Sequence, residues 1–273
     1  RQVSDAVNRT RELAIKYQGH SMVDIHPAPH SPHAASPEMI QAGHKLAKEL
    51  QTPFHIHVSE EMFEVEEMLE KYNKRPVHYL DSLGVVDDSM IAIHLVWLDK
   101  TEIELLGKRK IGLAYCPSSN MFLSDGITNI PDLVQSGVRV SLGSDGACSN
   151  NRISVFEEMR MCSLLQKVNK LDGTCVTAKQ VFDMGTKTGA DLLRVNTGEL
   201  AIGKKADFVS LKMNDLSLAP KRELFANVVY SMQPTAISDV VVAGKTVVSN
   251  GTLKTVSENT IGKKIDQLFK KWD

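Results

Sequence analysis

Cysteine is scarce in this chain: four in 273 residues, at positions 116, 148, 162 and 175, with no CxxC pair and no short-spaced framework. That excludes a disulfide-stapled secreted scaffold and leaves four reduced thiols, as in a cytosolic protein. Long hydrophobic runs are missing too. No apolar stretch approaches the roughly 18 residues that would cross a bilayer, and Arg1 to Thr10 are polar rather than a signal peptide. A cytoplasmic protein with no membrane partner is expected. Charge of one sign is absent: Lys+Arg 32 against Asp+Glu 33 gives a net −1, so no global field draws nucleic acid and a small molecule is the expected ligand. Glycine-rich phosphate loops are lacking as well, since no GxGxxG follows the first apolar run and no GxxxxGK[ST] occurs. What remains is 42% hydrophobic and 24% charged, enough for one sizeable globular domain or two small ones.

Five short apolar runs of strand length punctuate the first half: 22–27 (MVDIHP), 53–59 (PFHIHVS), 90–96 (MIAIHLV), 111–116 (IGLAYC) and 138–143 (VRVSLG). Helical patterns lie between them. Ser36 followed by Pro37 and Glu38 opens one, with Met39, Ile40, Leu46, Ala47 and Leu50 on its apolar face, and 61–71, 99–108 and 127–136 repeat the theme. Strands alternating with helices predict a parallel sheet covered by helices, either a (β/α) barrel or a doubly wound sheet. The polar residues favour the barrel, whose reactive groups come from the C-terminal ends of several strands. Each run here ends in such types: His26 and His30, His57 and Glu60, His94, Ser118 to Asn120, and Ser144 with Asp145. Beyond residue 150 the chain changes. Helices are predicted over 152–170 and 177–193, then a strand over 206–211 and a hairpin over 239–250 turning near Gly244, and a lysine-rich helical tail over 255–273.

Five of the nine histidines precede residue 50, and three more, His55, His57 and His94, sit in short apolar runs. The sharpest constellation is His55-Ile-His57-Val-Ser-Glu60, because residues two apart on a strand share a face and Glu60 falls where the strand gives way to a loop. Asp145 sits in a loop of small residues, LGSDGACSNN, where it is either a ligand or a helix N-cap. His94 is either a site residue or a buried strand histidine bonded to a backbone carbonyl. Neutral imidazole and carboxylate together hold a divalent metal, which lowers the pKa of water to near 7, and a further carboxylate can then shuttle a proton. His57 and Asp145 suit the first task, Glu60 the second, and His94 suits positioning or polarising water. His30, in APHSPH, suits substrate binding, and Ser118, Ser119 and Asn120 suit either ligand contacts or a simple turn after Pro117.

These residues carry a resemblance. HIHVSE, then AIHLVWLDKTEIELLGKRKIGLAYCPSSNMFLSDGITNIPDLVQSGVRVSLGSDGACSNN, VFEEMRMCSLLQK, and Gly198-Glu-Leu-Ala-Ile-Gly203-Lys-Lys-Ala206-Asp207-Phe-Val resemble the metal-dependent amidohydrolase superfamily over about residues 20–251. The nearest branch is that of nucleobase and nucleoside deaminases and triazine hydrolases, especially methylthioadenosine/S-adenosylhomocysteine deaminases. The resemblance implies an α/β fold of the (β/α)8 TIM-barrel family. It implies His57 as a metal ligand, Glu60 as the proton shuttle that also contacts the substrate ring, and His94 as the residue that orients water or binds metal. Asp145 becomes metal ligand and base, and His30 binds substrate, with His33 standing where the family has a tyrosine. His55 lies outside that ligand set. One divalent metal, zinc with iron as the alternative, and a purine-type base or nucleoside as substrate are implied, with triazines next.

The family's first-strand HxH is not found before residue 20. The expectation is therefore a chain matching only the C-terminal part of the enzyme: an incomplete barrel of strands four to eight over 1–195, part of a composite β-sandwich domain over 196–254, and a helical tail over 255–273. Such a piece is expected to be inactive alone and to associate as a homo-oligomer, because a partial barrel leaves strand edges unpaired. A non-catalytic fragment without metal is the competing reading. A phosphate-binding barrel is disfavoured, as no lysine ends a strand.

Overall fold

The computed structural model describes residues 2–270. The chain divides into two compact units, the first ending at Val195 and the second beginning at Asn196.

The first unit is an alternation of strands and helices. Its strands are β1 (Phe54–Val58), β2 (Met90–His94), β3 (Gly112–Tyr115) and β4 (Arg139–Leu142), all parallel and in sheet order β1-β2-β3-β4. Helices α1 (Val3–Lys16) and α2 (Pro37–Leu50) precede β1. Helices α3 (Met62–Tyr72) and α4 (Pro76–Ser82) lead to β2, α5 (Lys100–Lys108) to β3, and α6 (Pro117–Leu123) and α7 (Ile130–Ser136) to β4. Then come α8 (Ala147–Asn150), α9 (Val155–Lys170), α10 (Ala178–Met184) and α11 (Lys187–Leu192). Local signals set the helix starts: the Ser36 side chain accepts from Met39 N ahead of Pro37, and Asp99 forms a reciprocal capping box with Glu102.

Phe54, Ile56 and Val58 are buried while His55 and His57, on the opposite face of β1, are half-buried. The two-residue period of a strand thus sends three apolar side chains into the helix layer, each worth roughly 1.5–3 kcal/mol of burial, and turns both histidines to the other side. Gly43 lets α2 come close to the chain before β1, since a Cβ there would lie 3.2 Å from Pro29 Cδ.

Two expectations differ from what is observed. Residues 22–27 form no strand; instead the carbonyls of Pro27 and His30 accept from the N–H groups of His55 and His57 at 3.1 and 2.9 Å. The prolines at 27, 29 and 32 have no N–H to return, so only one side of a ladder can form. The helix expected over 177–193 is two helices, broken at Gly185-Thr186. A Cβ at 185 would collide with Met159, so glycine is what lets this corner pack on α9.

The second unit holds an antiparallel sheet in order β5-β6-β7-β8: β5 (Phe208–Leu211), β6 (Ile237–Val242), β7 (Lys245–Ser249) and β8 (Thr252–Leu253). The β6–β7 turn is the two-residue Ala243-Gly244, both at positive φ (49° and 76°), as a primed turn requires. A helix over Glu258–Phe269 follows, and residues 271–273 of the expected tail lie outside the described residues.

Candidate active site

Because β1 to β4 are parallel, their C-terminal ends share one edge of the sheet, and the register Val58↔His94 puts the loop bearing Glu60 next to His94. Three elements of backbone there are strained. Ser59 (φ 53°), His94 (φ 73°), Leu95 (φ 53°) and Asp145 (φ 58°) all sit in the left-handed region, a conformation that costs an L-residue of order 1–3 kcal/mol and concentrates at functional sites.

His94 is fully buried. Its Nδ1 lies 2.8 Å from Asn120 Oδ1, and its Nε2 lies 3.3 Å from Glu60 Oε1. Burial pulls its pKa down, the Asn120 bond pulls the other way, and His57 adds to the lowering. Glu60 is pushed above the usual carboxylate range by burial, with Asp145 and Glu61 adding to the rise and His57 opposing it. Asp145 would likewise be raised by burial. The hydroxyls of Ser119 (2.7 Å) and Ser149 (3.0 Å) and the N–H of Gly146 (2.6 Å) all donate to its carboxylate and hold it below the ordinary value.

His57 stacks between two other imidazoles, 4.9 Å from the His30 ring centroid and 5.5 Å from that of His94. Its Nδ1 donates to the His30 carbonyl at 2.8 Å, which leaves Nε2 as its ligand atom, the arrangement that orients metal-binding histidines. His30 is exposed, its Nδ1 bonded to the buried Ser31 hydroxyl, and burial followed by His57 and His33 lowers its pKa. His55 lies a layer deeper and bonds His26 at 2.9 Å, where burial and then His26 bring it down to about 4.

Among the described residues, one group of ligand atoms converges as a metal would need: Glu60, His94 and Asp145, all within 4.8 Å of one another. His57 is outside that group and beside it, stacked on His94. Nε2 of His94 is a buried nitrogen with no hydrogen-bond partner. A lone pair 3.3 Å from a carboxylate oxygen is unfavourable unless a proton or a cation lies between them. Imidazoles and carboxylates collected around that atom fit a divalent metal.

Asp145 is not the cap of the long helix, since Ser154 caps α9, and the partner of His94 Nδ1 is a side chain rather than a carbonyl. Ser119 and Asn120 bond Asp145 and His94, so this run holds two of the candidate site residues. Sequence reasoning missed two supports. Thr128 donates to the His94 carbonyl, and buried Glu158 accepts from Ser118 N and Asn150 Nδ2, tying the loops after β3 and β4 together. Nothing in their local sequence marks them, because His94 lies 34 residues from Thr128 and Ser118 lies 40 from Glu158.

The chain belongs to the Amidohydrolase family, whose model matches residues 2–247. It is 37% identical over 261 residues to the 5-methylthioadenosine/S-adenosylhomocysteine deaminase of Syntrophomonas wolfei, covering 94% of this chain and 61% of that protein. It is 39% identical over 267 residues to the 5'-deoxyadenosine deaminase of Methanothermobacter thermautotrophicus, covering 95% and 62%. Among solved structures, an adenosine deaminase from Xanthomonas campestris with bound zinc superposes with a TM-score of 0.93 at 28% identity, over 97% of this chain and 61% of that one. The atrazine chlorohydrolase TrzN of Arthrobacter aurescens shares the fold at a TM-score of 0.91 and 20% identity, over 98% and 60%. The chain thus spans about three fifths of the length of these relatives. The barrel-type α/β fold expected from the sequence is the fold of these neighbours.

Proposed function

We propose that this protein is a metal-dependent aminohydrolase that deaminates a purine nucleoside, a 5'-deoxyadenosine or 5'-methylthioadenosine type. The observation that carries this is the convergence of Glu60, His94 and Asp145, from three different strand ends, on an unpartnered buried imidazole nitrogen. His57 through Nε2 and Asp145 through its carboxylate would hold the metal, with zinc the choice that imidazole and carboxylate suit and that the zinc-bearing neighbour supports. What a divalent metal supplies when bound is a water pKa lowered to about 7.

The chain's own residues do the rest. Glu60, whose carboxyl is held above the usual carboxylate range by burial, passes a proton from Oε1 to the purine ring nitrogen. His94 offers Nε2 as an acceptor that orients an O–H group. Asp145, kept ionised by three donors, accepts the proton given up by the attacking water and passes it to the departing amino group, which leaves as ammonia. His30, exposed beside His57, contacts the substrate. The deaminase relatives, at 37–39% identity, support a purine over a triazine. Four free cysteines support a cytoplasmic setting. Association into a homo-oligomer is supported by the two edge strands, β1 and β4, of the parallel sheet.

The test is ammonia release by the zinc-loaded protein from 5'-deoxyadenosine, 5'-methylthioadenosine, guanine and an s-triazine, beside Glu60→Gln. Turnover of a purine nucleoside that falls by about 100-fold or more in Glu60→Gln is expected. Preference for the triazine, or an undiminished Glu60→Gln, would overturn the assignment.

A further inference from the structure

We infer that Asn120 is a positioning residue that holds His94 as its Nδ1–H tautomer, so that Nε2 meets Glu60 as a lone pair. The proton positions follow from a chain of bonds whose directions are forced. The main-chain oxygen of His94 can only accept, so the Thr128 hydroxyl, 2.7 Å away, donates to it. Having spent its one hydrogen, Thr128 Oγ1 accepts from the Asn120 amide nitrogen at 3.4 Å. The Asn120 oxygen is then the atom that faces His94 Nδ1 at 2.8 Å, and an amide oxygen only accepts. Nδ1 must carry the hydrogen, and the neutral ring has a bare Nε2.

His94, Asn120 and Thr128 are all buried to 1% exposure or less, so water does not offer another arrangement. The anchor of the chain is fixed in turn, because the Gln166 side chain donates to the Thr128 carbonyl at 2.9 Å and accepts from Ile130 N at 3.1 Å. The loop closes on itself: the backbone carbonyl of His94, displaced by the positive φ of that residue, sets the tautomer of the same residue's ring. The neighbouring Ser119 bonds Asp145, so one turn of α6 orients groups on two strand ends.

The use of this lone pair rests on the aminohydrolase reading, but the tautomer is read without turnover. Metal-free protein labelled with 15N-histidine is examined by long-range 1H–15N correlation, with His94 assigned by the loss of its peaks in His94→Gln. The expected pattern is a protonated Nδ1 and a bare Nε2. Asn120→Asp, which keeps an acceptor, retains it, and Asn120→Leu converts the ring wholly or partly to the Nε2–H form. Thr128→Val frees the amide to turn over and gives a mixture, which keeps the inference testable should Asn120→Leu fail to fold. With zinc and substrate, kcat is expected to fall about 10- to 100-fold in Asn120→Leu with KM little changed, and to recover in part in Asn120→Asp. An Nε2–H ring in the unaltered protein, or an unchanged pattern in folded Asn120→Leu or Thr128→Val, overturns it. A correct tautomer in a protein that deaminates nothing would overturn the function and leave this inference standing.

Discussion

Asp145 and Asp125 show how one residue type acquires opposite properties from its surroundings. Asp145 accepts three donors and stays ionised, and the Ser119 hydroxyl at 2.7 Å is the buried one of the three. Ser119→Ala removes one charge-assisted bond from the carboxylate proposed to hold the metal, so zinc affinity is expected to weaken about 10-fold or more, read by competition with a chelating dye. A zinc affinity equal to that of the unaltered protein would show that Ser119 merely fills space. Asp125 is buried with an unpartnered Oδ2, and burial, then Glu60, Glu61 and Asp145, push it up to about 7. A carboxyl whose folded pKa exceeds its unfolded value binds its proton more tightly when native. Stability therefore falls as pH rises from about 4 through about 7 and stays at the lower level above. Asp125→Asn removes that loss: in metal-free protein it is expected to be more stable than the parent at pH 8, and no more stable at pH 4. Urea midpoints at the two pH values check this, and a gain that is the same at both would contradict it.

Helix packing decides where the strand ends fall. Helices α5 and α7 touch at Gly107, where a Cβ would overlap the Ser136 carbonyl, with the Ser136 carbonyl carbon and Oγ each 2.7 Å away. Gly107→Ala must push α7 outward, and overpacking of this kind costs about 1–3 kcal/mol. A lower urea midpoint with an unchanged m-value is the expected result. An unshifted midpoint would mean that α7 has room to move. Element positions were largely legible in the sequence, since Ser36-Pro37, the Asp99 capping box and Gly244 each announce a boundary by local chemistry. The strand expected over 22–27 was not, because alternation of apolar residues says nothing about whether a prolyl neighbour leaves N–H groups to pair. The break at Gly185 was hidden for a related reason, as the apolar period of 177–193 continues through it and only the contact with Met159 shows the corner.

At the scale of the molecule, the candidate site lies wholly within the unit that ends at Val195, so a metal bound there acts on the stability of that unit. A ligand that binds only the native state adds about 2.7 kcal/mol at 100 times its Kd, or roughly 5–10 °C in Tm for a domain of this size. Zinc is expected to raise the thermal midpoint by that amount, a chelator to return it, and Asp145→Ala to abolish the response. A midpoint indifferent to zinc in the unaltered protein would remove the metal from the site. Among the described residues no helix is long and apolar enough to cross a membrane, in line with the absence of long apolar runs.

Residue type and spacing alone determined the strand–helix alternation, the parallel sheet that follows from it, and the placement of His57, Glu60, His94 and Asp145 at the ends of β1, β2 and β4. These depend on local periodicity, and a parallel sheet places all C-terminal strand ends along one edge whatever its details. Only the tertiary structure decided which atoms of those residues meet. The 3.3 Å contact of His94 with Glu60, the three donors on Asp145 and the path from Thr128 through Asn120 to the imidazole join residues far apart in the chain. Hydrogen-bond direction and burial are properties of such meetings, and no stretch of sequence contains them.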